Sequence, residues 1–381
     1  AIALAPTGAG QARAYQQRGD ALAGLGDLES ALQDYDQAIA IYSEAGGAAA
    51  VDIATEEPAT DKDRAEAYRS RGHVHAMLGD LDSALADYGQ AISLNPEDAL
   101  ARHYRGDARL EQGDVQRAIT DLDGAVTLIP QGETGSAALW CSRGFARYAI
   151  GDLVGASRDC DRALSLDPML GLAYRNRSIV SCALGDADAA IHDCDRALVL
   201  DPEDEAAYYH RGLALHQQGA YALAIADFAQ TIALCPDDRH HAARKAVAHI
   251  HRGLAHEAQG EQGAALADYT RAIALFPVGT EEGAAFCAEK AAAHFHRGQA
   301  HFRQGKVDKA IDDFTRALTL YAGEVEGGAG KCAWNGVSIG VFGRLTTDGD
   351  RAATYSSRAL AYGSRGEMEA AIADYTQSIA H

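Results

Sequence analysis

Nine arginines (Arg18, Arg71, Arg105, Arg143, Arg177, Arg211, Arg252, Arg297 and Arg358) are each matched by a downstream aspartate: Asp34, Asp87, Asp121, Asp159, Asp193, Asp227, Asp268, Asp313 and Asp374. Guanidinium and carboxylate at a fixed spacing make a paired ion, and the planar arginine fork suits bidentate pairing better than a lysine would. If the two positions come level on neighbouring helices, the pairs form a ladder, with one rung per repeat or between adjacent repeats. That role is structural. Histidine is the next group with chemistry to offer. His249, His251 and His256 repeat as His294, His296 and His301 in the pattern HxHRGxxH. Helical zinc sites need ligands that share a face, such as two histidines four residues apart, and no pair here has that spacing. His249 to His256 spans about 10 Å along a helix, too far for one ion. The histidines therefore read as packing or groove-lining groups, with no metal and no cofactor.

Catalytic constellations are missing as well. The chain has no Gly-x-Ser-x-Gly elbow, no cysteine placed beside a histidine in a turn or strand, and no GxxxxGK phosphate loop. The Asn176-Arg177-Ser178 triplet falls within a helix, a poor context for glycosylation. No catalytic residue is assigned, and the chain reads as a non-enzyme.

The elements that carry the ladder repeat with it. The ladder arginines are separated by 53, 34, 38, 34, 34, 41, 45 and 61 residues, so a basic period of 34 is interrupted by insertions. A small residue follows each arginine, Gly in seven repeats and Ser178 or Ala359 in the other two. A second-helix alanine recurs at Ala31, Ala84, Ala118, Ala156, Ala190, Ala224, Ala265, Ala310 and Ala371, and a large apolar column runs Tyr35, Tyr88, Leu122, Cys160, Cys194, Phe228, Tyr269, Phe314 and Tyr375. Small residues on facing helices let the axes approach, and the large column fills the space beside them. Gly26, Gly79 and their equivalents suit a left-handed helix end, and the aspartates that follow the first five suit the next helix start. Pro96, Pro130, Pro168, Pro202, Pro236 and Pro277 stop the second helices; the first and eighth repeats lack that proline.

These columns and the 34-residue helix–turn–helix period resemble the tetratricopeptide repeat family along nearly the whole chain. The resemblance implies an all-α fold, a right-handed α-solenoid superhelix of nine units near 12–45, 65–98, 99–132, 137–170, 171–204, 205–238, 246–279, 291–324 and 352–381. Segments 46–64, 239–245, 280–290 and 325–351 are the larger insertions. The first, small, acidic and proline-interrupted, reads as a helix extension followed by a loop. The last is glycine-rich yet carries Trp334, Val337, Ile339, Val341 and Phe342, and the alternation from Val337 to Val341 suggests a short strand or hairpin. It is either folded onto its own solenoid or an assembly loop reaching a neighbour.

In the family, the first helix of each unit lines the inner groove. That resemblance selects Arg69, His73, His103, Tyr104, Phe145 and Tyr148 in the earlier units. In the later units it selects Arg175, Asn176, Tyr209, His210, His216, His251, Phe295, His296 and Phe302. Aromatic and imidazole side chains on a rigid surface suit an extended peptide. Members that grip chaperone tails use a lysine- and asparagine-rich clamp, of which this chain holds only pieces, Arg69 with His73 and Arg175 with Asn176.

Composition narrows the partner. A formal net charge of −20 argues against nucleic acid and against anionic membrane surfaces. No apolar run approaches eighteen residues, so no membrane span is expected. Seven cysteines form no CxxC pair; Cys160 and Cys194 sit in the large apolar column, and only Cys287 and Cys332 lie in insertions where a disulfide is geometrically free to form. The chain begins at Ala1 without an initiator Met, which fits a mature end after signal-peptide removal as well as a piece of a longer chain. The compartment thus stays open between cytoplasm and export.

The leading expectation is a non-enzymatic scaffold that holds a peptide or partner protein in the concave groove. The competing one is a structural subunit that polymerises head-to-tail into a filament through uncapped solenoid ends, its partner then being itself. A third is the regulatory array of a larger enzyme.

Overall fold

The computed structural model describes residues 8–45, 60–129, 136–276, 286–327 and 348–381, and every extended regular element among them is an α-helix. Two compact units divide the chain: unit 1 holds residues 1–155 with 165–167, and unit 2 holds 156–164 with 168–381. Unit 1 contains three helical hairpins: α1 (Ala9–Gly24) with α2 (Leu28–Ala45), α3 (Asp61–Met77) with α4 (Leu81–Leu94), and α5 (Ala99–Glu111) with α6 (Val115–Leu128), followed by α7 (Ala137–Ala149). Helix α8 (Leu153–Leu166) crosses the division. Unit 2 continues with α9 (Gly171–Ala183) and α10 (Ala187–Leu200), α11 (Glu205–Gln217) and α12 (Tyr221–Leu234), and α13 (Arg239–Ala258) and α14 (Gln262–Leu275). It is completed by α15 (Cys287–Arg303) and α16 (Val307–Gly327), then α17 (Asp348–Arg365) and α18 (Met368–Ala380). Within each unit a helix packs on its hairpin partner, and each second helix also packs on the next first helix.

The hairpin turn follows from two residues. Gly79 has φ 80°, a conformation that a Cβ would disfavour, and this left-handed residue ends α3. Asp80 then donates its N–H to the His75 carbonyl (2.9 Å), closing the helix end, while its carboxylate caps α4 through Ser83 N (3.2 Å). Asp27, Asp114 and Asp186 make the same cap. Ala220, Glu261 and Glu367 stand in that place later in the chain and make no side-chain cap. Helix length tracks the proline: α16, with none after it, runs 21 residues against 14 for α4 and α12.

The core is made by close approach. A Cβ on Gly212 would lie 2.8 Å from the Phe228 ring, and one on Gly253 2.7 Å from Tyr269. Phe228, Tyr269 and Phe314 are accordingly almost wholly buried, beside Ala224, Ala265 and Ala310. Where the small column is Ser178, the large column shrinks to Cys194, and both remain fully buried. Cys160 is buried as well.

Residues 61–64, 239–245 and 287–290 extend first helices at their N-terminal ends. Thr60 caps α3 reciprocally with Asp63 in a capping box. Asp238 caps α13.

Candidate functional site

The Arg–Asp pairs come first because they fix the first-helix register. In every hairpin lying within a single unit, the arginine Nε and Nη2 donate to both oxygens of the matching aspartate at 2.5–2.9 Å, from Arg18–Asp34 to Arg358–Asp374. The aspartates are buried. A second arm reaches back: Nη1 of Arg71, Arg143, Arg177 and Arg211 donates to Asp36, Asp123, Asp161 and Asp195 on the preceding second helix. Arg71, Arg177 and Arg211 therefore both close their own hairpins and fasten them to the ones before. A ring one turn earlier supports the guanidinium, as Tyr68 does under Arg71 and Trp140 under Arg143 (5.4 and 4.5 Å to centroid).

The HxHRGxxH histidines join this framework. His249 and His294 occupy that ring position and bond through Nδ1 to Asp268 and Asp313 at 2.8 and 2.9 Å. Burial raises the Asp268 and Asp313 carboxyls, but the histidine and arginine hydrogen bonds outweigh it and leave both below the usual carboxylate range. His256 faces Glu261 (2.6 Å). His251 and His296 pack on the large residue of the preceding hairpin, Phe228 (5.9 Å) and Tyr269 (5.7 Å). No three metal-ligating side chains converge among the described residues.

Three of the first-helix candidates in unit 1 form a ring cluster. Tyr104 is stacked between His73 (5.1 Å) and His103 (5.6 Å) and lies 6.0 Å from Tyr88. His103 Nε2 lies 3.2 Å from both Ser142 Oγ and Asp107 Oδ2. Phe145 and Tyr148 sit 6.5 Å apart, both buried. Arg69 Nη1 donates to Asp98 (2.7 Å), the N-cap of α5, and Nη2 to Glu66 (3.3 Å).

The unit 2 candidates repeat part of that plan. Arg175 Nη1 donates to both oxygens of Asp204, the N-cap of α11, at 3.0 and 2.9 Å. Asn176, Tyr209, His210 and His251 are buried, and Tyr209 contacts Phe228 and His251 at 5.9 and 5.7 Å. Burial, then the Arg175 charge, pushes His210 down to about 3. Burial, then His216 and His296, does the same to His251, also to about 3. Burial also lowers His216 and His296. Phe295 and Phe302 are half-buried against Ala310, Ile311, Phe314 and Ala361. His216 lies edge-on to Tyr221 (5.2 Å).

Seven of the sequence-selected side chains (His103, Phe145, Tyr148, Asn176, Tyr209, His210 and His251) are thus buried in the free chain. Around Tyr209 and His251 the cause is local: both first-helix rings lie against Phe228, the large apolar residue of Tyr209's own hairpin and of the hairpin before His251. Those open to solvent at least in part are Arg69, His73, Tyr104, Arg175, His216, Phe295, His296 and Phe302. Trp334, Val337, Ile339, Val341 and Phe342 lie outside the described residues, as does Cys332. Asp98 and Asp204 were not selected from the sequence, although a signal existed. Each of the two Ala-Tyr-Arg tripeptides, at 67–69 and 173–175, ends 29 residues before the aspartate of a Pro-Glu-Asp.

Hairpins closed by a glycine turn, locked by paired small and large columns and stacked in tandem, define an α-solenoid of helical repeats. Models described as "Tetratricopeptide repeat" match residues 12–44, 69–133, 182–249 and 291–322. The chain belongs to the tetratricopeptide repeat family, whose arrays serve as protein-interaction scaffolds. Among curated proteins it is similar to "Tetratricopeptide repeat protein 36" of Homo sapiens, 38% identical over 125 residues, or 32% of this chain and 63% of the relative. The Mus musculus protein of that name is 45% identical over 71 residues, 19% of this chain and 38% of the relative. The matches thus span less than two thirds of these relatives' own length. Among solved structures, the APC/C hetero-tetramer Cut9–Hcn1 aligns with TM-score 0.55 at 16% identity, covering 99% of this chain and 74% of that one. A monomeric mutant of IFIT1 with m7Gppp-AAAA aligns with TM-score 0.58 at 14% identity, covering 96% and 80%. At these identities the structural likeness concerns the fold alone. No helix among the described residues is long and apolar enough to cross a membrane.

Proposed function

We propose that this chain is a non-enzymatic scaffold that holds a peptide or a segment of a partner protein against the groove faces of its first helices. One observation carries the reading: partly open aromatic and imidazole rings recur on these helices, His73 and Tyr104 in unit 1, Phe295, His296 and Phe302 in unit 2. Such rings offer stacking area and hydrogen bonds at low entropic cost. The ladder holds their helices in place, so little order has to be gained on binding.

A random twelve-residue display library selected against the purified chain tests this. Selected peptides should lose at least tenfold in affinity on Tyr104→Ala or Phe302→Ala, with far-ultraviolet circular dichroism unchanged. Failure to select any binder, or binders indifferent to both substitutions, defeats the reading.

A second reading is self-assembly through the faces that stack hairpins. Helix α18 leaves Met368, Ile372, Tyr375 and Ile379 exposed at 62, 66, 40 and 87%, whereas Ile311, Phe314 and Leu318 at the equivalent places of α16 are at 6, 1 and 9%. The face of α1 is polar where it is open, through Gln17, Arg18 and Asp20, a poor match for head-to-tail contact. Light scattering separates the two readings: polymers that Ile372→Glu and Ile379→Glu dissolve would favour assembly.

A further inference from the structure

The only arginines among the groove candidates are Arg69 and Arg175, and they occupy the same place in their repeats. Each is engaged by the aspartate that caps the next first helix. Arg69 Nη1 lies 2.7 Å from Asp98 Oδ2, with side chains 19% and 5% exposed. Arg175 Nη1 lies 2.9 Å from Asp204 Oδ2, at 18% and 11%. Arg175 Nε is itself buried away from solvent. Both aspartates are also tied to backbone N–H groups, Asp98 through Ala101 (2.9 Å) and Asp204 through Ala206 and Ala207 (3.0 Å each). They are therefore fixed in place by a second job. Glu66 takes a further donor of Arg69 at 3.3 Å.

We propose that Asp98 and Asp204 set the charge class of ligand these faces accept: by occupying Arg69 and Arg175 they make the scaffold select an uncharged, apolar segment and reject an acidic one. The inference rests on the groove reading above. A carboxylate ligand reaching either arginine has to displace a buried, backbone-anchored carboxylate of the same charge, and like charges brought together on a desolvated surface are strongly disfavoured. The other potential cations among the groove candidates, the histidines, do not compensate. Burial leaves His210 and His251 neutral at pH 7, each at about 3, and lowers His216 and His296. In unit 1 the carboxylate of Asp107 stands beside His103 at 3.2 Å. What unit 2 offers openly is apolar: Leu254, Phe295 and Phe302 in part, and Leu360 at 55% exposure.

The test uses the whole chain and two fluorescein-labelled twelve-residue probes that share the same Leu and Phe positions. One has serine spacers and an amidated C-terminus; the other has glutamate spacers and a terminal carboxylate. Fluorescence anisotropy should show the serine probe bound at least tenfold more tightly. Asp98→Asn and Asp204→Asn together should cut that preference at least threefold, because asparagine caps a helix about as well as aspartate yet carries no charge, so the fold is kept while the arginines are released. Arg69→Gln with Arg175→Gln leaves both carboxylates unpaired and should keep or widen the preference, since the guanidiniums removed are already taken. The proposal is overturned if the wild-type chain prefers the glutamate probe, if the asparagine variant keeps an unaltered preference, or if the glutamine variant loses the preference for the serine probe. If neither probe binds, the groove reading itself fails, and this inference with it.

Discussion

Replacing Arg297 by methionine isolates what one rung of the ladder contributes. Arg297 closes the α15–α16 hairpin with hydrogen bonds of 2.9 and 2.7 Å to Asp313, which also takes His294 Nδ1 at 2.9 Å. The side chains of Arg297, Asp313 and His294 are 16, 5 and 4% exposed, so this rung is among the most enclosed. Breaking a buried pair by removing one partner costs on the order of 3–5 kcal/mol, because the other charge is stranded. His294 remains, which places the expected loss near the lower end, about 3 kcal/mol, or roughly a hundredfold in the local opening equilibrium. The exposed pair Arg365–Asp308, at 36 and 83% exposure, is the control, and Arg365→Met should leave amide protection close to that of the wild-type chain. Hydrogen exchange of the α15 and α16 amides is the assay, since a repeat array opens locally before it unfolds globally. The wild-type and Arg297→Met chains should also respond oppositely to acid. In the wild-type chain the depressed Asp313 carboxyl adds stability that is present above the unfolded aspartate value of about 3.9 and lost as pH falls through the lower folded value. With Arg297 gone, the stranded carboxylate is relieved by protonation, so the deficit of the variant shrinks below about pH 5. Equal protection in the Arg297→Met and Arg365→Met chains, or a deficit that grows on acidification, would refute the stranded-charge reasoning.

Three further outcomes follow from the packing. Gly212→Ala brings a Cβ to 2.8 Å from the buried Phe228 ring and should lower stability by about 1–3 kcal/mol in urea unfolding. Tyr209→Ala empties a site at 3% exposure beside Phe228; it should cost about 3 kcal/mol or more and reduce helicity as well as binding. Burial raises the Cys182 and Cys235 thiols to about 11 each, so neither should react with iodoacetamide at pH 8 until the chain is unfolded, as peptide mass spectrometry would report.

The ladder was legible because its spacing is the same in all nine repeats, although that spacing left open whether a rung lies within one repeat or between neighbours. Its backward arm was harder to read. Asp36, Asp161 and Asp195 are visible in the sequence, but whether Nη1 reaches them depends on the offset between hairpins, which the period does not encode. The groove candidates were read from the resemblance by helix position alone. Burial then divided them, because Tyr209 is covered by Phe228 across its own hairpin and His251 by the same ring from the hairpin before. Asp98 and Asp204 were missed for a related reason. In the structure both cap the next first helix, and each also holds an arginine 29 residues earlier, a pairing that the repeat period does not encode.

The account stands on a partner segment lying along first helices, and site mapping tests that most directly. A display-selected peptide carrying a benzophenone at its centre, irradiated in complex with the chain and followed by mass spectrometry, reports the residues it touches. Adducts on α3 and α5, or on α13, α15 and α17, are the predicted result. Adducts confined to second helices such as α10, α12 or α18 would contradict it.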